Sequence, residues 1–143
     1  MDRRSGGCLC GAVRFHATVE QHDFSACHCD ACRRWGSGPF FAVAAADVVF
    51  EDDASLRRHR SSDWAERGFC ATCGSSVFYR LVNQSDAAEY QMSVGALDDQ
   101  SGLKLTQEVF VDRNRGAYAF AGPLTQLTQA ECFARYAPKT EDD

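Results

Sequence analysis

Alternating apolar and polar positions recur along most of the chain and predict a mainly β structure. The clearest alternation covers residues 12–19, where every second residue from Val13 to Val19 is apolar and those between are polar. Further strands are predicted at residues 24–27, 39–45, 48–51, 56–60, 65–69, 76–81, 89–94, 107–112 and 118–120. A turn near Asp47 is predicted between the strands at residues 39–45 and 48–51.

Two segments depart from this alternation and are predicted to be helical. Residues 30–35 would form one helical turn that ends at Gly36, because glycine readily adopts the left-handed conformation that ends helices. Farther along, Thr128 and Glu131 have the spacing of a capping box, in which each side chain binds the other residue's backbone N–H. The short C-terminal helix that begins there is predicted to end before Pro138.

Composition and charge are those of a globular protein. The 143 residues, of which 45% are hydrophobic and 24% charged, predict a single domain over residues 1–143. A net charge of −5 disfavours a nucleic-acid partner. The longest apolar stretch, residues 39–46, is far shorter than a membrane-spanning helix, and no apolar run follows the first arginines as in a secretory signal. The expectation is a cytoplasmic protein with no membrane partner.

Eight cysteines are the unusual feature of the composition. In a chain with no predicted export signal, they favour metal binding, redox chemistry or catalysis over a disulfide framework. Cys132 stands alone within the predicted helix and is expected to pack in the core. The other seven form three clusters, which are Cys8-Leu9-Cys10, Cys27-His28-Cys29-Asp30-Ala31-Cys32 and Cys70-Ala71-Thr72-Cys73.

The first and third clusters are predicted to hold one structural zinc ion. Each supplies two cysteines followed directly by a glycine, which can take a positive φ and bring its backbone N–H close to a sulfur. A structural zinc site needs four ligands, so Cys8 and Cys10 are the natural partners of Cys70 and Cys73. The alternative is a redox dithiol in the third cluster, which the absence of a βαβ pattern around it disfavours.

The second cluster offers three sulfurs, from Cys27, Cys29 and Cys32. Three protein ligands leave the fourth position of a tetrahedral zinc ion open, as is typical of catalytic zinc, and a zinc-bound thiol loses its proton. The alternatives are a metal-free thiol group, one of these cysteines joining the structural site, and an iron–sulfur cluster. His28 is expected to point away from both neighbouring sulfurs in an extended segment, and so to have a packing or supporting role.

Metal sites built from thiolates carry net negative charge, which nearby arginines could offset through hydrogen bonds to sulfur. Four arginines lie close in sequence to the cysteine clusters, namely Arg14, Arg33, Arg34 and Arg67. The sequence does not distinguish among them.

The cysteine motifs, taken together, resemble those of the glutathione-dependent formaldehyde-activating enzymes, a family that includes the centromere protein V domain. The resemblance covers residues 7–118, and its motifs are residues 7–15, 27–34, 68–75 and 94–99. Many members carry a histidine where this chain has Glu108, and often a tryptophan where it has Ala117 and Tyr118. These differences bear on the pocket and the substrate, since none of the three residues is a predicted zinc ligand.

The resemblance implies a β-tent fold, built from small antiparallel sheets pinned by zinc. By the family pattern, the structural zinc ligands are Cys8, Cys10, Cys70 and Cys73, and the catalytic zinc ligands are Cys27, Cys29 and Cys32. The implied activity is that of a carbon–sulfur lyase acting on a thiol–aldehyde adduct such as S-(hydroxymethyl)glutathione. Its partners would be a small thiol such as glutathione and an aldehyde such as formaldehyde.

Two other classes of function stay open at this point. A non-catalytic zinc-binding module of the same fold would hold metal without thiol-dependent activity. A redox sensor would form reversible disulfides among Cys27, Cys29 and Cys32. The intact three-cysteine motif favours the enzyme, because a scaffold has no need of an open metal position.

Overall fold

The computed structural model of the chain describes residues 2–82 and 89–136. The strands are β1 Asp2–Gly7, β2 Arg14–Val19, β3 Asp23–Cys27, β4 Phe40–Asp52, β5 Leu56–Arg60, β6 Ala65–Cys70, β7 Ser76–Leu81, β8 Tyr90–Ser93, β9 Lys104–Val109 and β10 Thr125–Leu127. The helices are α1 Asp30–Gly36 and α2 Gln129–Tyr136, and single 3₁₀ turns occupy Val94–Ala96 and Val111–Arg113. The mainly β class and the short C-terminal helix are therefore confirmed.

Within the described residues the strands join into one sheet, with the order β10-β9-β3-β4-β8-β7-β6-β5 and with β1 and β2 attached through β4. Most neighbouring strands are antiparallel, as the resemblance implied. The resemblance implied several small sheets, whereas the described strands form one continuous sheet. The strand β9 differs, because it runs parallel to both β3 and β10. The linkage into one sheet depends on β4, which pairs with β2, β3 and β8 along its length.

The predicted turn near Asp47 is instead a bulge inside β4. Asp47 adopts a left-handed conformation with φ of 51°, and the pairing with β2 shifts register close by. One extra residue in a strand bends it without ending it, so the two predicted strands are halves of one 13-residue strand. The half that starts at Phe40 pairs with β3, and the half that ends at Asp52 pairs with β2.

The core confirms the alternation read from residues 12–19. Val13, Phe15, Ala17 and Val19 are all at most 1% exposed, and they pack against apolar residues of the neighbouring strands. The largest fully buried partners among these are Val43, Val77, Phe78 and Met92. Gly68 of β6 lies so close to the Phe78 ring that an added Cβ would stand 2.1 Å from it, which explains a glycine inside this strand.

The helix signals were accurate to within a residue. The capping box forms, since Glu131 N–H donates to Thr128 Oγ1 at 3.2 Å and Thr128 N–H donates to Glu131 Oε1 at 3.0 Å. Cys132 is buried in α2, as expected. The left-handed residue that ends α1 is Ser37, one position after the predicted Gly36. Pro138, the predicted helix stop, lies outside the described residues.

Other strand predictions were incomplete or wrong, including that at residues 107–112, where β9 spans Lys104–Val109. β1 and β10 were missed, because Asp2–Gly7 has no alternation and Thr125–Leu127 is only three residues long. Residues 118–120 are not a strand, and their aromatic side chains pack around His28 instead. No helix in the described part of the chain has the length and apolar character needed to cross a membrane.

Candidate metal sites

Two loops that are distant in sequence bring four sulfurs together. The ligand atoms of Cys8, Cys10, Cys70 and Cys73 all lie within 4.8 Å of one another, and this group is called the four-cysteine site. The Sγ atoms of Cys8 and Cys10 are 3.6 Å apart, and those of Cys10 and Cys70 are 3.9 Å apart. A tetrahedral zinc ion with bonds of about 2.3 Å would separate its sulfurs by about 3.8 Å. The donor set therefore fits one zinc ion.

Matching backbone turns build the two halves of this site. Gly11 and Gly74 have φ of 83° and 82°, and each donates its N–H to the carbonyl of the first cysteine of its pair. Only glycine takes this conformation without strain, and it folds the chain back so that both sulfurs of a pair face the same point. Leu9 N–H donates to Ser75 Oγ at 3.0 Å, which ties one turn to the other.

Hydrogen bonds to sulfur adapt the four-cysteine site to negative charge. Val13 N–H donates to Cys8 Sγ at 3.2 Å. The hydroxyl and the backbone N–H of Ser75 lower the pKa of Cys73 to about 5. Such donors stabilise the thiolate form, which is the form that binds metal. Cys70 is buried whereas Cys10 is exposed, so the site lies at the margin of the core.

The second group consists of Cys27, Cys29 and Cys32 and is called the three-cysteine site. Its sulfurs also lie within 4.8 Å of one another. Cys27 ends β3, whereas Cys29 directly precedes α1 and accepts a hydrogen bond from Cys32 N–H at 3.3 Å. Hydrogen bonds from the Cys27 and Cys32 thiols hold the pKa of Cys29 well below its ordinary value. The hydrogen bonds that join Cys27 to Cys29 and Cys32, together with burial, raise the pKa of Cys27 well above its ordinary value.

Of the four arginines considered, the structure places Arg67 against a cysteine sulfur. Its Nη1 donates to Cys32 Sγ at 3.3 Å, and the residue is only 6% exposed. Its guanidinium carbon lies 5.1 Å from the Trp35 ring centroid and 4.9 Å from that of Tyr79. Arg14 and Arg33 instead pair with carboxylates, those of Asp98 and Asp30 respectively.

His28 points away from the sulfurs, as expected for an extended segment. The residue is 2% exposed, with Nε2 at 2.8 Å from Glu108 Oε1 and Nδ1 at 3.0 Å from the Tyr118 hydroxyl. Gln126 Nε2 donates to the other Glu108 oxygen at 3.0 Å. Two of the positions that differ from the family pattern, Glu108 and Tyr118, therefore meet at one imidazole. Sequence reasoning missed this network, since its partners are 80 and 90 residues away from His28.

A cavity of about 760 Å³ lies beside the three-cysteine site. All three cysteines line it, together with Phe40, Arg67 and Tyr79, and it extends to Cys132 and Phe133 of α2. None of the four cysteines of the other site is among its lining residues. The three-cysteine site thus faces a space large enough for a small molecule, whereas the four-cysteine site lies apart from it.

The fold and these sites define a mainly β protein with two cysteine groups that could each hold a metal ion, one of them beside a cavity. A family model described as glutathione-dependent formaldehyde-activating enzyme matches residues 3–113. The chain therefore belongs to this family, as its cysteine motifs indicated.

A curated protein of Schizosaccharomyces pombe, named as an uncharacterized lyase, is similar to this chain. It is 28% identical over 132 residues, which cover 92% of this chain and 95% of the relative. Family membership and the name of this relative support a lyase-type function.

Proposed function

We propose that this chain is a zinc-dependent carbon–sulfur lyase that cleaves a thiol–aldehyde adduct such as S-(hydroxymethyl)glutathione. The observation that carries the proposal is the three-cysteine site beside the cavity, with its sulfurs within 4.8 Å of one another. Family membership and the lyase-named relative support the reaction class. The alternative is a zinc-binding module of the same fold that has no activity.

In this proposal the two sites have different roles. Cys27, Cys29 and Cys32 hold the catalytic zinc, and the four-cysteine site holds a structural zinc that fixes the fold. Zinc supplies the positive charge that stabilises a sulfur as its thiolate. The three cysteines provide one ligand fewer than a structural zinc site requires, and their sulfurs border the cavity.

The proposed reaction breaks the carbon–sulfur bond of the adduct. The electron pair of that bond goes to sulfur, the adduct hydroxyl loses its proton, and the carbon–oxygen bond becomes the double bond of the aldehyde. Phe40 and Tyr79 provide apolar walls near the cysteines and limit the water around the reacting atoms. The products are a thiol such as glutathione and an aldehyde such as formaldehyde.

The proposed setting is a single domain over residues 1–143 in the cytoplasm. All eight cysteines are free thiols in the structure, and cysteine ligands keep their thiolate chemistry in a reducing compartment. Disulfide formation would remove the sulfurs that the proposal needs.

The decisive experiment measures cleavage of S-(hydroxymethyl)glutathione by zinc-loaded wild-type protein and by Cys29→Ser. We expect the variant to lose at least about a hundredfold in kcat/KM and to keep its fold, because serine is a poor zinc ligand and Cys29 lies outside the four-cysteine site. Cys132→Ala is the matched control, since Cys132 lines the same cavity but belongs to neither site. Unchanged turnover in Cys29→Ser would refute the proposal.

Zinc content per chain tests the cofactor assignment separately. Protein prepared without chelator and then titrated with glutathione should contain two zinc ions, the second retained better when thiol is present. One zinc ion per chain, insensitive to thiol and to added metal, would favour the non-catalytic module.

A further inference from the structure

Arg67 is a buried cation that has no carboxylate partner among the described residues. None of the ion pairs within residues 2–82 and 89–136 includes it, although the residue is only 6% exposed. Its Nε is buried and lacks a hydrogen-bond partner among the described residues. A buried charge is costly unless an opposite charge compensates it. The nearest group that can do so is the Cys32 sulfur, 3.3 Å from Nη1.

The three-cysteine site supplies that compensation when its sulfurs hold a metal. Three thiolates around a divalent ion leave one net negative charge, which one guanidinium balances. An additional thiolate would bring the site to two negative charges in surroundings formed partly by Phe40, Trp35 and Tyr79. With Arg67 present, the combined charge is only one negative unit. The arginine therefore lowers the cost of placing an anionic sulfur here.

We propose that Arg67 is a specificity-determining residue that makes the three-cysteine site accept an anionic sulfur from a small-molecule thiolate in preference to a neutral ligand. This inference rests on the proposed function, because it assigns the class of ligand that the same site takes. Arg67 does so through its permanent charge, its hydrogen bond to Cys32 and its position in the cavity wall.

A purely structural role for Arg67 makes different predictions. Its guanidinium stacks on two aromatic rings, and this packing alone could stabilise β6 against α1 and β7. Loss of packing would weaken the binding of every ligand in the cavity to a similar degree. Loss of charge compensation would weaken the binding of anions only. Probes that differ in charge separate the two roles.

The test uses the full chain loaded with Co²⁺, whose visible absorption changes when a ligand joins its coordination shell. The two probes are 2-mercaptoethanol, which binds as a thiolate and carries no carboxylate, and imidazole, which binds as a neutral ligand. S-methylglutathione serves as a control that has no free thiol. Each probe is titrated into wild-type protein, Arg67→Met, Arg67→Gln and Arg67→Lys.

We expect Arg67→Met and Arg67→Gln to weaken 2-mercaptoethanol binding by about tenfold to a hundredfold, the loss typical of a charge-assisted hydrogen bond. Imidazole binding should change by less than about threefold. Arg67→Lys should recover part of the thiol affinity because it keeps the charge. Arg58→Met is the matched control, since Arg58 also stacks on aromatic rings but pairs with Glu66 and lies outside the cavity lining.

The remaining outcomes would overturn the proposed function and this inference together, or this inference alone. Wild-type protein that binds imidazole but no thiol would refute the proposed function and this inference together. Neutral Arg67 variants that bind thiol as tightly as wild type, or that lose both probes equally, would refute this inference alone. The same holds if both neutral variants fail to fold while Arg67→Lys folds and has no preference for thiol.

Discussion

The two cysteine sites are assembled from different kinds of support. In the four-cysteine site, the backbone positions the sulfurs through two glycine turns and through N–H donors close to the cysteines in sequence. In the three-cysteine site, side chains from other strands provide the support, with Arg67 of β6 on Cys32 and Glu108 of β9 on His28. We therefore expect substitutions at the four-cysteine site to destabilise the fold, and distant substitutions to alter the three-cysteine site without changing the fold.

The largest expected effect is that of Cys70→Ser in the four-cysteine site. Cys70 is 0% exposed and packs with the main core, so its replacement by serine removes a proposed metal ligand and places a hydroxyl in an apolar environment. We expect a loss of more than about 4 kcal/mol in the free energy of unfolding, measured with zinc bound. Cys29→Ser should cost much less under the same conditions. Equal losses would contradict the assignment of the four-cysteine site as the structural one.

Glu108→Leu should have an intermediate effect that is confined to the three-cysteine site. It leaves the buried His28 ring and the Gln126 amide without their carboxylate partner, at a cost of about 3 kcal/mol. Metal at the three-cysteine site should then be lost more readily on dialysis against a chelator, while the four-cysteine site keeps its metal. Glu108→Gln preserves the shape, and its amide keeps both hydrogen bonds by accepting from Gln126 and donating to an unprotonated His28 Nε2. A loss as large as in Glu108→Leu would rule out this explanation.

Gly74→Ala should cause the smallest loss of stability of the three substitutions, and it should act on the four-cysteine site. A Cβ at this position meets no atom within 4 Å, so the cost comes only from a φ of 82° and amounts to about 1–2 kcal/mol. Chelator titration should show weaker metal binding by the four-cysteine site and unchanged binding by the other. Gly36→Ala is the control, because Gly36 also has open space but has no positive φ. Similar losses in both variants would argue against the backbone explanation.

Local signals allowed much of the fold and both cysteine groups to be predicted. The spacing of Cys70 and Cys73, the alternation in β2 and the capping box at Thr128 each depend on residues within a few positions of one another. The parallel pairing of β9 with β3 had no such signal, because it joins strands that are about 80 residues apart. The partners of His28 were missed for the same reason, and Tyr118 was assigned to a short strand that the structure does not contain.

The two halves of the four-cysteine site lie far apart along the chain. A metal ion held there would join Cys10 to Cys70, 60 residues later, and would close a ring in the polypeptide. Closing a ring of this size in the unfolded chain removes conformational entropy worth on the order of 4 kcal/mol. Cys27, Cys29 and Cys32 all lie inside that ring. Metal in the four-cysteine site would therefore restrict the unfolded chain around these three cysteines as well, before they bind a metal of their own.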